Sequence, residues 1–250
     1  MRAQPEQQAP PVQRLRIRYA KRGRLRFTSH RDFSRAFERA IFRARVPMAY
    51  SSGFNPHPRI SYAGAAPTGA ASEAEYLEIG LAEVLDPQTV HGLLDESLPD
   101  GLDVLEVVES PGGSLSDLLQ ASHWQVSLPG AGDLEPLVEA FLAADEAPVQ
   151  RMTKKGLRDF DARAAVLSLR VDTDADTDTD TDTGPAGAGA VLDLVLRHTE
   201  PAVRPDDVLT ALTALDTQGV LPAGVSPLLT RLKQGPLEES TGAIGDPLHR

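Results

Sequence analysis

The sequence predicts a mixed α+β protein of two tandem ferredoxin-like (βαββαβ) units with antiparallel sheets. Three observations predict it. Over residues 13–110, runs that alternate apolar and polar residues and runs with helical periodicity follow the order strand, helix, strand, strand, helix, strand. Residues 120–235 repeat this theme loosely. At 250 residues, with 41% hydrophobic and 24% charged residues, the chain holds enough apolar material for two small cores.

Each element has its own signal. Residues 1–12 are rich in Pro and Gln without periodicity and read as a disordered tail. Arg14 to Tyr19 alternates charged and apolar residues, a strand with one buried face, and Leu25 and Phe27 resume the alternation after a basic turn. Ser29 reads as a helix N-cap, with Asp32 placed to return a bond to the cap. In the helix that follows, Phe33, Ala36, Phe37, Ala40, Ile41 and Ala44 form a continuous apolar stripe, and Pro47 stops it. Prolines on both sides of His57 restrict the next segment to extended geometry, and Gly53 supplies a turn.

Ile60 to Ala63 and Glu75 to Leu81 read as strands, Asp86-Pro87 opens a second helix, and Gly101 to Glu109 closes the unit with a strand. In the second unit, strands are expected at 122–129, 149–153, 164–171 and 190–197, with helices at 134–144 and 205–215. Between the last two strands lies an Asp/Thr-rich insert, residues 172–189, whose repeated aspartates repel one another and bury nothing; it reads as disordered. It is a poor calcium loop, because its glycine is displaced and no closing glutamate follows. Residues 236–250 read as a tail.

Composition narrows the chemistry. There is no cysteine, which excludes disulfides, thiol nucleophiles and cysteine-ligated iron–sulfur clusters in this chain, and no cofactor is expected. No apolar run approaches the ~20 residues of a membrane helix and no signal peptide is visible, so no membrane association is expected and the cytoplasm is the expected location. The net charge of −11 conceals a division. Residues 1–70 hold thirteen arginines and one lysine against three acids, a net +11, and the remainder carries −22. Such asymmetry fits a polyanion or an acidic partner for the basic part, or docking of the basic part on its own acidic half.

The residues that could carry chemistry cluster in 26–62. Arg31, Arg35, Arg39 and Arg43 recur at strict spacings of four and form a ridge that diverges from the apolar stripe, with Glu38 the one nearby acid. With Arg26 and Arg59 they make a candidate RNA or phosphate surface, because guanidinium groups bind phosphate oxygens in pairs. Tyr19, Phe54 and Tyr62 could stack on the bases of single-stranded RNA. Ser29, His30, Asp32, Tyr50, Gly53, Phe54, Asn55 and His57 are candidates for a pocket or partner contact. Two other readings compete: metal-independent RNA cleavage with His30 and His57 as general acid and base, and a metal site from His30, Asp32 and His57. Neither a catalytic residue nor a metal site is the primary expectation. In the structural alternative His30 packs locally, Asp32 completes the cap and the Pro-rich loop braces the sheet.

Residues 25–79 also carry a resemblance. Arg26-Phe27 followed by Ser29-His30, the Arg-rich helix, the run Tyr50-Ser51-Ser52-Gly53-Phe54-Asn55-Pro56-His57-Pro58, and Ser72-Glu73-Ala74-Glu75-Tyr76 resemble the bacterial radical SAM-linked proteins, a domain of unknown function. A looser likeness covers most of residues 13–235. The resemblance implies an accessory protein that works with a separately encoded radical SAM enzyme in RNA or ribosome-related modification, with tRNA or rRNA as the RNA. It supplies no established catalytic residues. The expected function is therefore a non-catalytic RNA-binding or substrate-presenting subunit, with a ribonuclease or a protein-docking adaptor as alternatives. The tandem arrangement also resembles the CRISPR RNA-processing endonucleases, in architecture alone.

Overall fold

A computed structural model describes residues 7–153, 156–173, 189–224 and 226–250. The fold is mixed α+β, with four α-helices among the described residues and a main sheet that is mostly, rather than wholly, antiparallel as expected. Alternation identifies which residues share a face of a strand but carries no information on strand direction, so this departure lay outside its reach. The chain divides into two compact units, Met1–Leu119 with Asp246–Arg250, and Gln120–Gly245.

In the first unit the strands are β1 (Gln13–Lys21), β2 (Ile60–Ala63), β3 (Ala71–Leu81) and β4 (Val104–Glu109), and the helices are α1 (His30–Ala44) and α2 (Pro87–Asp95). β1 pairs antiparallel with β3 on one side and β4 on the other, and β2 pairs antiparallel with β3. One sheet face carries Leu15, Ile17 and Tyr19 of β1 and Leu77, Ile79 and Leu81 of β3, packed in one core with Phe33, Phe37, Ala40 and Ile41 of α1 and Val90 and Leu94 of α2. The expected apolar stripe of α1 is thus the buried one. Asp86 caps α2 by accepting from the Thr89 N–H at 3.0 Å.

The other sheet face is built differently. Arg16 on β1 is fully buried, and its guanidinium donates to the carbonyls of Gly112, Pro247 and Arg250 while sitting 3.5 Å from the Glu78 carboxylate. Ser110 Oγ donates to the same carboxylate at 2.7 Å, and Arg14 Nη1 approaches it to 3.0 Å. Around this polar center Leu115, Leu119 and Leu248 pack against Ala74 and Tyr76. Residues 246–250, expected as part of a tail, are therefore bound into the unit, with Leu248 fully buried. The N-terminal stretch differs from expectation in the same way where it is described: Val12 N–H donates to Leu81 O at 2.9 Å, and Gln8 N–H to Ser52 Oγ at 2.9 Å.

Leu25 and Phe27, expected to resume the strand after a basic turn, instead lie in a short 3-10 helix, Gly23–Phe27. Gly23 takes a positive φ of 51°, and Leu25 N–H closes back on Arg22 O. Arg22 itself is clamped between Glu73 at 2.5 Å and Asp103 at 2.7 Å, which ends the alternation at that corner.

The second unit contains β5 (Ala121–Pro129), α3 (Glu135–Ala143), β6 (Pro148–Thr153), β7 (Gly156–Asp161), β8 (Val166–Val171), β9 (Gly189–Arg197), α4 (Pro205–Leu215), β10 (Leu228–Gly235), β11 (Leu237–Glu238) and β12 (Ala243–Ile244). β5 pairs with β10 and β9, and β9 with β8, all antiparallel. β6 and β7 make a separate antiparallel hairpin, tied to α4 by an ion pair between Arg151 and Asp207. β7 and β10 are additions to the expected strands, and β11 pairs antiparallel with β12 within residues 236–250, expected as a tail. Residues 174–188 of the Asp/Thr-rich insert lie outside the described residues.

Candidate nucleic-acid interface

The site is assembled around α1. Ser29 caps it with an extended backbone, and its Oγ accepts the Asp32 N–H at 3.2 Å. The Ser29 hydroxyl in turn donates to the Asp32 carboxylate at 2.6 Å, so Asp32 serves the cap through the Ser29 side chain. At the far end the helix closes on Arg45, which adopts the left-handed conformation at φ 53°.

With the apolar stripe buried, the opposite face points to solvent, and Arg31, Arg35, Arg39 and Arg43 are all exposed. Arg31, Arg35 and Arg39 make no ion pair or hydrogen bond among the described residues, and Arg43 reaches only Ser97 O at 3.4 Å. Glu38 stands on the same face without an ion-pair partner among the described residues. Arg35, Glu38, Arg39, Phe42 and Arg43 line a shallow open hollow of about 610 Å³. Phe42 was absent from the sequence-based candidates, yet it is 85% exposed. The signal that could have found it is an aromatic residue lying off the apolar stripe and among the arginines.

The remaining candidates divide. Arg26 is half-buried, with its guanidinium carbon 4.9 Å from the center of the Phe27 ring and its Nε unpaired among the described residues. Arg59 is held by its Nε to Tyr50 O at 3.1 Å, and its backbone bridges Ala49 and Gly80. The loop it closes is tied at its neck, with Ser51 N–H donating to His57 O and His57 N–H to Ser51 Oγ. Gly53 turns this loop at φ 131°, Phe54 and Asn55 are exposed at its outer end, His57 is exposed at its neck, and Tyr50 is partly exposed at its start.

No contact joins His30 to His57 among the described residues. The His30 ring meets the Tyr62 ring edge-on at 5.0 Å, whereas His57 precedes Tyr62 by five residues of largely extended chain, on the order of 16 Å. The set of His30, Asp32 and His57 does not bring three potential ligand atoms within 4.8 Å of one another among the described residues, and Asp32 is engaged with Ser29. Elsewhere in this unit Glu106, Asp246 and His249 bring potential ligand atoms within 4.8 Å of one another, but Glu106 also faces Arg18 at 3.5 Å.

Two expected stacking platforms are corrected. Tyr19 is 3% exposed and stacks face to face on Phe33 at 4.4 Å, because alternation places it with Leu15 and Ile17 on the core side of β1. Tyr62 is half-buried between His30 and Phe33. Its hydroxyl pKa is pushed up to about 12, chiefly by burial, with Ser34 partly offsetting and Glu38 adding to the rise.

No helix among the described residues is long and apolar enough to cross a membrane. No curated protein matches the chain. A solved structure, an unknown protein from Galdieria sulphuraria, is similar at 13% identity over 88% of this chain and 98% of that one, with a TM-score of 0.24, a likeness that carries no argument. The family model described as an uncharacterized protein conserved in bacteria (DUF2344) matches residues 14–205, and the chain belongs to that family.

Proposed function

We propose that this protein is a cytoplasmic, non-catalytic RNA-binding or substrate-presenting subunit that works with a separate radical SAM enzyme. The observation that carries the RNA-binding part is the arginine face of α1. Like charges four apart on a helix each cost about 0.2–0.5 kcal/mol. Three such pairs stand in a row here, and the protein supplies Arg31, Arg35 and Arg39 with no acid partner among its described residues. A row that repels itself and is left open to solvent is suited to a phosphate backbone, which neutralises it from outside. The strand orders β4-β1-β3-β2 and β10-β5-β9-β8, with two helices in each unit, support reading both as ferredoxin-like. The enzyme partner rests on the resemblance of residues 25–79.

The ribonuclease reading gains nothing from the geometry, since no contact joins His30 and His57 among the described residues. Incubation of the protein with structured RNA in EDTA tests both ideas. A mobility shift without cleavage is expected; cleavage abolished by His30→Ala or His57→Ala would replace the proposal. The binding surface is tested by changing Arg35 and Arg39 to Gln. This should weaken RNA binding across sequences and flatten its log–log salt dependence by about 0.7–0.9 per lost phosphate contact. A marked fall in melting temperature with unchanged RNA binding would refute the phosphate reading. Capture of a radical SAM enzyme that survives nuclease treatment is the expected result for the partner.

A further inference from the structure

We propose that Phe42 is a base-stacking platform, so that the α1 face takes single-stranded RNA with an unpaired base on Phe42 and the flanking phosphates on Arg35, Arg39 and Arg43. This rests on the RNA-binding reading above and names its substrate class. Phe42 is 85% exposed, more than Phe54 at 69%, Phe27 at 60% or Tyr50 at 44%. Its ring takes no part in the core of the first unit. Phenylalanine is also a poorer helix former than alanine, so neither packing nor propensity accounts for it at a helix surface.

Its neighbours define the ligand. Arg39 precedes it by three residues and Arg35 by seven, so both lie on its side of the helix, and Arg43 follows directly; all line the same hollow. The arginines advance about 6 Å each along the helix axis, a spacing of the same order as phosphates along an extended strand. Glu38, four residues before Phe42, is the acid in the hollow. A carboxylate beside the ring disfavours another phosphate at that point and is compatible with a base, from whose N–H donors, the uracil N3–H included, it can accept. A duplex cannot use this arrangement, because its bases are already stacked and the face of an A-form base pair is closed to a side chain. An unpaired base offers its face to any aromatic ring, whatever the sequence.

The test measures fluorescence anisotropy of the full chain with labelled oligouridylate, a blunt RNA duplex of equal length, and inorganic polyphosphate as competitor. Phe42→Ala should weaken single-strand binding by roughly five- to a hundredfold, leave its salt slope unchanged, and leave the affinity for duplex and polyphosphate unchanged. Phe42→Trp should restore binding. If Phe42→Ala binds oligouridylate like the unaltered protein, or loses oligouridylate and polyphosphate equally, the stacking proposal is wrong. In that case Arg35→Gln with Arg39→Gln still weakens all three ligands if phosphate binding holds. If the double arginine change leaves oligouridylate binding intact, the RNA reading itself falls. Competition by polyglutamate as strong as by oligouridylate of equal charge would assign the face to an acidic protein and overturn the proposal.

Discussion

Replacing Arg16 with Met should destabilise the first unit by about 3 kcal/mol and loosen the last five residues. Methionine keeps most of the aliphatic stem, so the change isolates the guanidinium. Two routes give the magnitude. Breaking a buried ion pair by removing one partner costs about 3–5 kcal/mol. The lower end applies here, because Glu78 retains Arg14 Nη1 at 3.0 Å and the Ser110 hydroxyl at 2.7 Å. Counted as hydrogen bonds, the carbonyls of Gly112, Pro247 and Arg250 lose their donor at about 0.5–1.5 kcal/mol each, again about 3 kcal/mol together. For a chain of this length that lowers the melting temperature by about 6–12 °C.

Thermal unfolding followed by circular dichroism measures the first effect. Carboxypeptidase digestion measures the second, since Pro247 and Arg250 are held by Arg16 across more than 200 residues of sequence. Adding Glu78→Gln to Arg16→Met should recover part of the loss, because the largely buried carboxylate that loses Arg16, and keeps only Arg14 and Ser110, is removed. A single variant that melts within about 2 °C of the unaltered protein and keeps its C-terminal residues protected would refute the reasoning.

Other expectations follow from single sites. Arg45→Gly should stabilise the protein by about 0.5–1 kcal/mol in urea titration, because Arg45 occupies the left-handed cap of α1 at φ 53°. Tyr62 holds its proton to about pH 12 when folded and to its ordinary value of 10.0 when unfolded, so its contribution is full below pH 10 and is lost as pH rises through about 12. Tyr62→Phe should flatten the fall in stability across that window, measured as urea midpoints against pH. The Asp216 carboxylate accepts the backbone N–H groups of Gln218, Gly219, Val220 and Leu221, and the Leu221 bond first of all holds its pKa below the ordinary 3.8. Its contribution is present above pH 3.8 and is lost as pH falls through the folded value; Asp216→Ala should abolish hydrogen-exchange protection of those four amides at neutral pH.

What the sequence disclosed depended on whether a residue's role was local. α1 was legible because cap, stripe and stop all lie within Ser29 to Pro47, and α4 was legible to the residue for the same kind of reason. β10 was not, because its buried positions include Arg231 and Gln234, which break the apolar alternation that marks a strand. β7, Gly156–Asp161, forms a hairpin whose residues are exposed or half-buried, so it too lacks a buried face to read. The docking of residues 246–250 turns on a contact between Arg16 and two carbonyls at the other end of the chain, and nothing near Leu248 announces it. At the candidate interface the four-residue spacing disclosed the arginines, whereas the role of Tyr19 was misread by treating an aromatic residue on a basic strand as exposed.

The thirteen arginines of the first seventy residues are therefore not one population. Arg14 and Arg16 meet Glu78, Arg18 meets Glu106, and Arg22 meets Glu73 and Asp103. Every one of those acids lies beyond residue 70 in the sequence but inside the same unit. Charge division along the chain is in this part an artefact of strand order: β1 comes first, and the strands and turns that neutralise it come later. Had the α1 arginines been of this kind, they too would have found acids on the neighbouring elements of their own unit. Glu38, next to Arg39 in the sequence, shares their face and forms no ion pair with them among the described residues. Eight described arginines of this stretch are left without an ion pair among the described residues, Arg24, Arg26, Arg45 and Arg59 singly and the other four in one row on α1, and it is this remainder, not the +11 of the N-terminal seventy, that a polyanion would neutralise.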